Sequence, residues 1–206
     1  CHQALRMAER QEEADRLALD YIVGRLSMDG QYQTLLKHWL PAICRSEDKQ
    51  TRAEALGQTG KQLVHIGSYS EALDYLKQSL AIQREIGDKS GEGTTLNNIS
   101  ALYHARGDYE TALDYLKQSL AIRREIGDVA GLCATLFNMG HIHIQNEEVQ
   151  EALACWVQVY QRATKINLAQ ALAALENLAG QLGLEGGLDG WAKLAERFTD
   201  NENAGE

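Results

Sequence analysis

The chain has 206 residues, 44% of them hydrophobic, a single proline and a formal net charge of −9. That acidity excludes generic nucleic-acid affinity, because neutralising a phosphate backbone needs a basic surface. The lone proline, with abundant Ala, Leu, Glu, Gln and Arg, excludes an all-β fold, and no apolar run approaches the roughly 20 residues needed to cross a bilayer.

Residues 1–9 read as the tail of a helix, with Leu5 and Ala8 on one apolar stripe. An uncapped solenoid end exposes such a stripe, so a longer parent chain and self-association through this end are both expected. An amphipathic helix follows from Ala14 to Met28, with Leu17, Tyr21, Ile22 and Leu26 on its apolar side. Asp29-Gly30-Gln31 turns it, and Tyr32 to Cys44 forms the partner helix, which Pro41 should kink or shorten. Four further helix pairs are predicted near 51–66 with 69–86, 90–106 with 109–126, 130–146 with 149–165, and 168–182 with 188–198. The domain reading is therefore a degenerate helical repeat over 1–45, an array over 51–198 and a polar, frayed tail over 199–206.

One stretch organises this pattern. Residues 69–88 and 109–128 are the same twenty-residue sentence, differing only at 70/110, 71/111 and 83/123. Ala72, Ala112, Ala152 and Ala192 continue the forty-residue spacing, as do Gly60, Ser100, Gly140 and Gly180. Small residues at two fixed points let paired helices approach closely. Gly87, Gly127 and Asn167 recur just past a helix end, where the left-handed conformation is needed. Asp88 and Asp128 are then placed to cap the next helix. Self-similarity of this kind marks a repeat architecture.

These residues resemble the tetratricopeptide repeat. Its signature of large, small and aromatic positions reads Leu56, Thr59-Gly60, Leu63, Ala72 and Leu76 in one pair. In the next it reads Leu96, Ile99-Ser100, Tyr103, Ala112 and Leu116, and then Leu136, Met139-Gly140, His143, Ala152 and Trp156. The Gly-Asp-Tyr turn is Gly107-Asp108-Tyr109. The forty-residue period is similar to the longer-helix variety of kinesin light chains and of bacterial signalling arrays. Departures fall at Leu35, Pro41, His143 and Glu176. The resemblance implies an all-α fold, a right-handed superhelical solenoid of antiparallel helix pairs whose first helices line a concave groove. It also implies a non-catalytic scaffold for a peptide or protein. The alternative it implies is a regulatory arm that docks on an attached nucleotide switch or caspase-like protease.

On that fold the groove set is Gln58, Lys61, Thr94, Asn97, Asn98, Phe137, Asn138 and His141. In peptide-binding members of the family, asparagine at the Asn98 and Asn138 position bonds the peptide backbone, an amide being both donor and acceptor. The plainer account is that Leu-Asn-Asn is the habitual polar face of this repeat. Phe137 and Ile144 either form an apolar floor or pack against the adjacent pair. The family's two-carboxylate clamp lacks its lysine, since Gly57, Asn97 or Phe137 stands there.

Other chemistry is not supported. His141 and His143 point about 200° apart on a helix, and Cys133 and Cys155 lack zinc-site spacing, so no metal is expected. Gly91-Glu-Gly-Thr-Thr95 lacks the lysine of a phosphate loop and reads as a helix start. Lys77, Lys117, Arg84, Arg123 and Arg124 are expected on solvated outer faces, paired with acids. No cofactor, nucleic-acid or membrane partner and no enzyme activity follow. The four widely spaced cysteines read as reduced thiols of a cytoplasmic protein.

Overall fold

A computed structural model describes residues 2–19, 34, 36–37 and 40–203; for residues 2–9, 42 and 199–203 it describes the backbone alone. Among the described residues every regular element is a helix, as composition and repeat pattern require. The chain divides into two compact units, Cys1–Gly107 and Asp108–Glu206.

The first unit contains α1 (His2–Leu17), α2 (Leu40–Ile43), α3 (Lys49–His65), α4 (Tyr69–Ile86) and α5 (Lys89–Ala105). Helices α3 and α4 form an extensive hairpin, and α5 packs back on both. Gly60 makes that hairpin close: a Cβ there would fall 2.5 Å from Leu76 Cγ, on a side chain with no exposed surface. Leu19, Leu40, Ile43 and Ala55 make a smaller apolar cluster at the beginning of the array.

Two expectations for this region change. Residues 2–17 are one continuous helix rather than a tail followed by a new start at Ala14. The intervening Arg10-Gln11-Glu12-Glu13 is polar but consists of good helix formers, so nothing breaks the backbone. Leu17, expected on the apolar side, is half exposed at 51%. Pro41 lies within the short helix α2. Tyr21, Ile22, Leu26, the turn at 29–31, Tyr32 and Leu35 lie outside the described residues.

The second unit contains α6 (Tyr109–Glu125), α7 (Val129–Gln145), α8 (Val149–Ile166), α9 (Ala169–Leu182) and α10 (Leu188–Asn203). Here α7 and α8 form the main hairpin, α6 lies on α7, and α9 and α10 close against α8. Helix α10 runs on through the start of the stretch read as a frayed tail.

Turn chemistry follows the sequence. Gly87, Gly127 and Asn167 take positive φ of 74°, 69° and 52°. In each case the next residue's N–H reaches back to a carbonyl of the last turn: Asp88 to Gln83, Asp128 to Arg123, Leu168 to Ala163. Asp88 and Asp128 then cap the following helices by accepting from Gly91 N and Gly131 N at 2.9 and 2.8 Å. The turn within each hairpin is left-handed as well, at Gly67, Gly107 and, without glycine, Glu147 at φ 63°.

The forty-residue period fails at the last hairpin. Ala72, Ala112 and Ala152 have no exposed surface, but Ala192 is only half-buried and Gly180 is exposed with open space around it. The buried residues are Leu175, Leu178, Ala179, Trp191 and Ala195, each thirty-nine after Leu136, Met139, Gly140, Ala152 and Trp156. The cause is Glu176. A strict period would put its carboxylate where Leu56, Leu96 and Leu136 are buried, and an unpaired buried charge is far too costly. Helix α9 instead presents Leu175 inward, and Glu176 Oε2 accepts from Leu188 N at 2.9 Å, satisfying the first turn of α10. Large and small exchange places to match. Trp156 lies over Gly140 in one hairpin, while Trp191 takes the alanine position in the next.

Candidate functional site

Each unit carries a hollow between two successive first helices of the repeat. In the first unit it lies between α3 and α5, has a volume of about 490 Å³ and is mainly polar. Gln50, Glu54, Gly57 and Gln58 come from α3, and Ser90, Gly91, Thr94, Thr95 and Asn98 from α5. The end of α4 closes it with Gln83 and the following Asp88. Gly57 keeps the floor low: a Cβ there would approach Ser79 Oγ at 3.2 Å. Ser79 itself donates to Ala53 O at 2.7 Å and lies 3.3 Å from Thr95 Oγ1, which ties α4 to both neighbours.

In the second unit the hollow lies between α7 and α9, is smaller at about 230 Å³, and is mainly apolar. Ala130, Cys133, Ala134, Phe137 and Asn138 line one side, and Gln170, Ala171 and Ala174 the other. The two hollows occupy one place in the repeat, eighty residues apart: Gln50, Glu54, Gly57 and Gln58 in the first become Ala130, Ala134, Phe137 and Asn138 in the second. One backbone frame therefore carries a polar cup and an apolar cup.

Of the groove set, Gln58, Thr94 and Asn98 come together in the polar hollow, and Phe137 and Asn138 in the apolar one. Lys61 is exposed and Asn97 half-buried, and neither lines a hollow. His141 is half-buried within an aromatic row, edge-on to Phe137 at 4.8 Å and to Trp156 at 5.4 Å, and Trp156 is edge-on to Trp191 at 6.2 Å. Trp156 Nε1 donates to Phe137 O at 3.2 Å, which holds the row against α7. Ile144 does not join Phe137; Cys133, Ala134 and Ala174 make that floor. The spacing of eighty between 50 and 130, 54 and 134 would have exposed Gln50, Glu54, Ala130 and Ala134 to sequence reasoning. Gln83 could not be found that way, because it belongs to an outer helix.

The electrostatics differ from an outer solvated face. Arg123 is 5% exposed and paired with Asp128, with its Nε donating to Ser119 Oγ at 3.3 Å. It was expected in solvent. Its burial is tolerable because the carboxylate beside it and the hydroxyl below compensate the charge. Glu92 is likewise buried at 5% and held by Arg84 and Lys89 at 2.7 and 3.1 Å. Burial pushes its carboxyl up, but the hydrogen bonds and charges of Arg84 and Lys89 outweigh this and leave it below the ordinary range. His143 Nδ1 lies 2.7 Å from Glu148 Oε2, in surroundings different from those of His141. Among the described residues no group of three or more His, Cys, Asp or Glu is placed to hold a metal ion. Nor is any helix of the described residues long and apolar enough to cross a membrane.

Residues 51–125 match the family profile described as tetratricopeptide repeat. No curated protein matches the chain. Several solved structures share its fold. BtubC (BKLC) from P. vanneervenii aligns over 98% of this chain and 92% of its own, at TM-score 0.62 and 15% identity. A Podospora anserina putative kinesin light chain with nearly identical TPR-like repeats aligns over 91% and 97%, at 0.60 and 18%. A Rap protein complexed with competence and sporulation factor aligns over 96% of this chain and 65% of its own, at 0.61 and 15%. At these identities the likeness is one of fold.

Proposed function

We propose that this chain, whose residues 51–125 belong to the tetratricopeptide repeat family, is a non-catalytic cytoplasmic scaffold that holds a peptide or protein segment on its first helices. The observation that carries this reading is the convergence of Gln58, Thr94 and Asn98 in one concave, polar hollow. Amide side chains in a cup can accept from and donate to an extended backbone without reading its side chains. The apolar hollow around Phe137 suits a hydrophobic side chain, with Asn138 at its margin as the polar contact. That a Rap protein of the same fold is complexed with competence and sporulation factor supports the same use of the fold here.

The test is selection of binding peptides from a random displayed library, followed by fluorescence polarisation on the winners. Asn98→Ala combined with Asn138→Ala should weaken binding by about tenfold, as expected for loss of two amide hydrogen bonds near 0.5–1.5 kcal/mol each. Undiminished binding by this double variant would move the site to the outer helices and end the reading.

A further inference from the structure

The three repeat copies treat one internal position in three ways. In the second unit Arg123 pairs with Asp128, and a Cβ on Gly131 would run into its guanidinium. Forty residues later the equivalents are Ala163, Leu168 and Ala171, with no charge to satisfy. Forty residues earlier they are Gln83, Asp88 and Gly91. The carboxylate and the glycine are kept, with Gln83 Nε2 2.8 Å from where a Cβ on Gly91 would fall, but the arginine is replaced at one of only three positions where the twenty-residue copies differ.

That exchange leaves two unmet demands facing the polar hollow. The Gln83 side chain is 3% exposed and lines the hollow, and its Oε1 accepts no hydrogen bond. Asp88 accepts from Gly91 N and from Gln50 Nε2 at 3.0 Å, both neutral donors. The ion pairs of the described residues give it no cation: Arg84 and Lys89 are taken by Glu92, and Lys49 by Glu85. The hollow's other acid, Glu54, is held by Arg16 at 3.0 Å. Among the described residues Asp88 is therefore left without a cation, beside an orphaned amide oxygen, where the neighbouring copy seats a guanidinium.

We propose that the polar hollow reads arginine: the guanidinium of an arginine on the bound segment takes, beside Asp88, the place that Arg123 fills beside Asp128. This rests on the scaffold reading and names the side chain that its first unit selects. Asp88 Oδ2 and Gln83 Oε1 accept from the ligand's guanidinium, while Gln58 and Asn98 face the peptide backbone. A planar guanidinium suits two separate acceptors better than a lysine ammonium, which presents a compact, strongly hydrated charge.

The experiment titrates the full chain with N-acetyl-L-arginine amide and follows the backbone amides of Asp88 and Gly91 by two-dimensional NMR. Saturable shifts are expected with arginine, weaker ones with the lysine amide, and none with the isosteric neutral citrulline amide. Gln83→Arg places the chain's own guanidinium in the slot, as the 123 position already tolerates, and should abolish the titration while the spectrum stays folded. Asp88→Asn keeps an oxygen for the helix cap and should weaken binding about tenfold, by removing a charge-assisted bond. Equal shifts from citrulline, or shifts that survive Gln83→Arg, would overturn the assignment, as would no shift at all. If arginine fails while selected peptides still depend on Asn98, only the arginine assignment falls. If both fail, the scaffold reading falls with it.

Discussion

Gly140 and Gly180 stand at one position of the forty-residue pattern, yet alanine should act on them in opposite directions. At Gly140 a new Cβ would fall 2.5 Å from Trp156 Cε2. The ring cannot step aside. It is 1% exposed, lies edge-on between His141 and Trp191, and is held through Nε1 to Phe137 O. Alanine gains about 1 kcal/mol in helix propensity, against about 1–3 kcal/mol for overpacking and a further ~1–3 kcal/mol if the indole N–H loses its acceptor. With the indole bond lost, the net expectation is a loss of about 1–5 kcal/mol. At Gly180 nothing lies within 4 Å of the same Cβ, so the propensity gain stands alone, and a stabilisation of about 0.5–1 kcal/mol is expected. Urea titrations by circular dichroism, with denaturation midpoints compared at unchanged slope, would read both signs. For a chain of this size each kcal/mol also moves Tm by about 2–4 °C. A neutral or stabilising Gly140→Ala would refute the close packing of Trp156 on Gly140, and a destabilising Gly180→Ala would refute the register shift in the last hairpin.

Glu147 takes the left-handed turn position that glycine fills at 67 and 107. Glu147→Gly should therefore stabilise by about 0.5–1 kcal/mol, the left-handed penalty of ~1–2 kcal/mol less the entropy cost of glycine, as read by thermal melting. Glu92 supplies a pH dependence. Because its folded carboxyl lies below the ordinary value, its stabilisation is complete above the unfolded pKa and is lost as pH falls through the folded one. Between about pH 5 and 3 the wild-type chain should lose more stability than Glu92→Gln, and parallel losses in urea titrations would refute this. Burial pushes the Cys155 thiol up to about 11, and Cys133 is raised by burial too. At pH 8 Cys155 should react with iodoacetamide roughly a hundredfold more slowly in the native chain than in urea, and Cys133 more slowly in the native chain as well, as mass spectrometry of the alkylated peptides would show.

What could be read from residues alone was what neighbouring residues decide. Helix spacing, the left-handed Gly87, Gly127 and Asn167, and the caps at Asp88 and Asp128 are set within a few residues of chain, so they are legible without a structure. The amides at 58, 98 and 138 were legible for a related reason, since a repeat reports its exposed positions by elimination. The tertiary structure decided wherever one helix had to answer another. Glu176 rotated its helix and moved the buried stripe by one residue, because a carboxylate cannot enter a core. Arg123 left the solvated face because Asp128 waited behind it, and Gln83 became consequential only once that pairing was visible. Whether a first-helix position faces a polar cup or an apolar one depends on side chains forty residues away, and no local pattern encodes that distance.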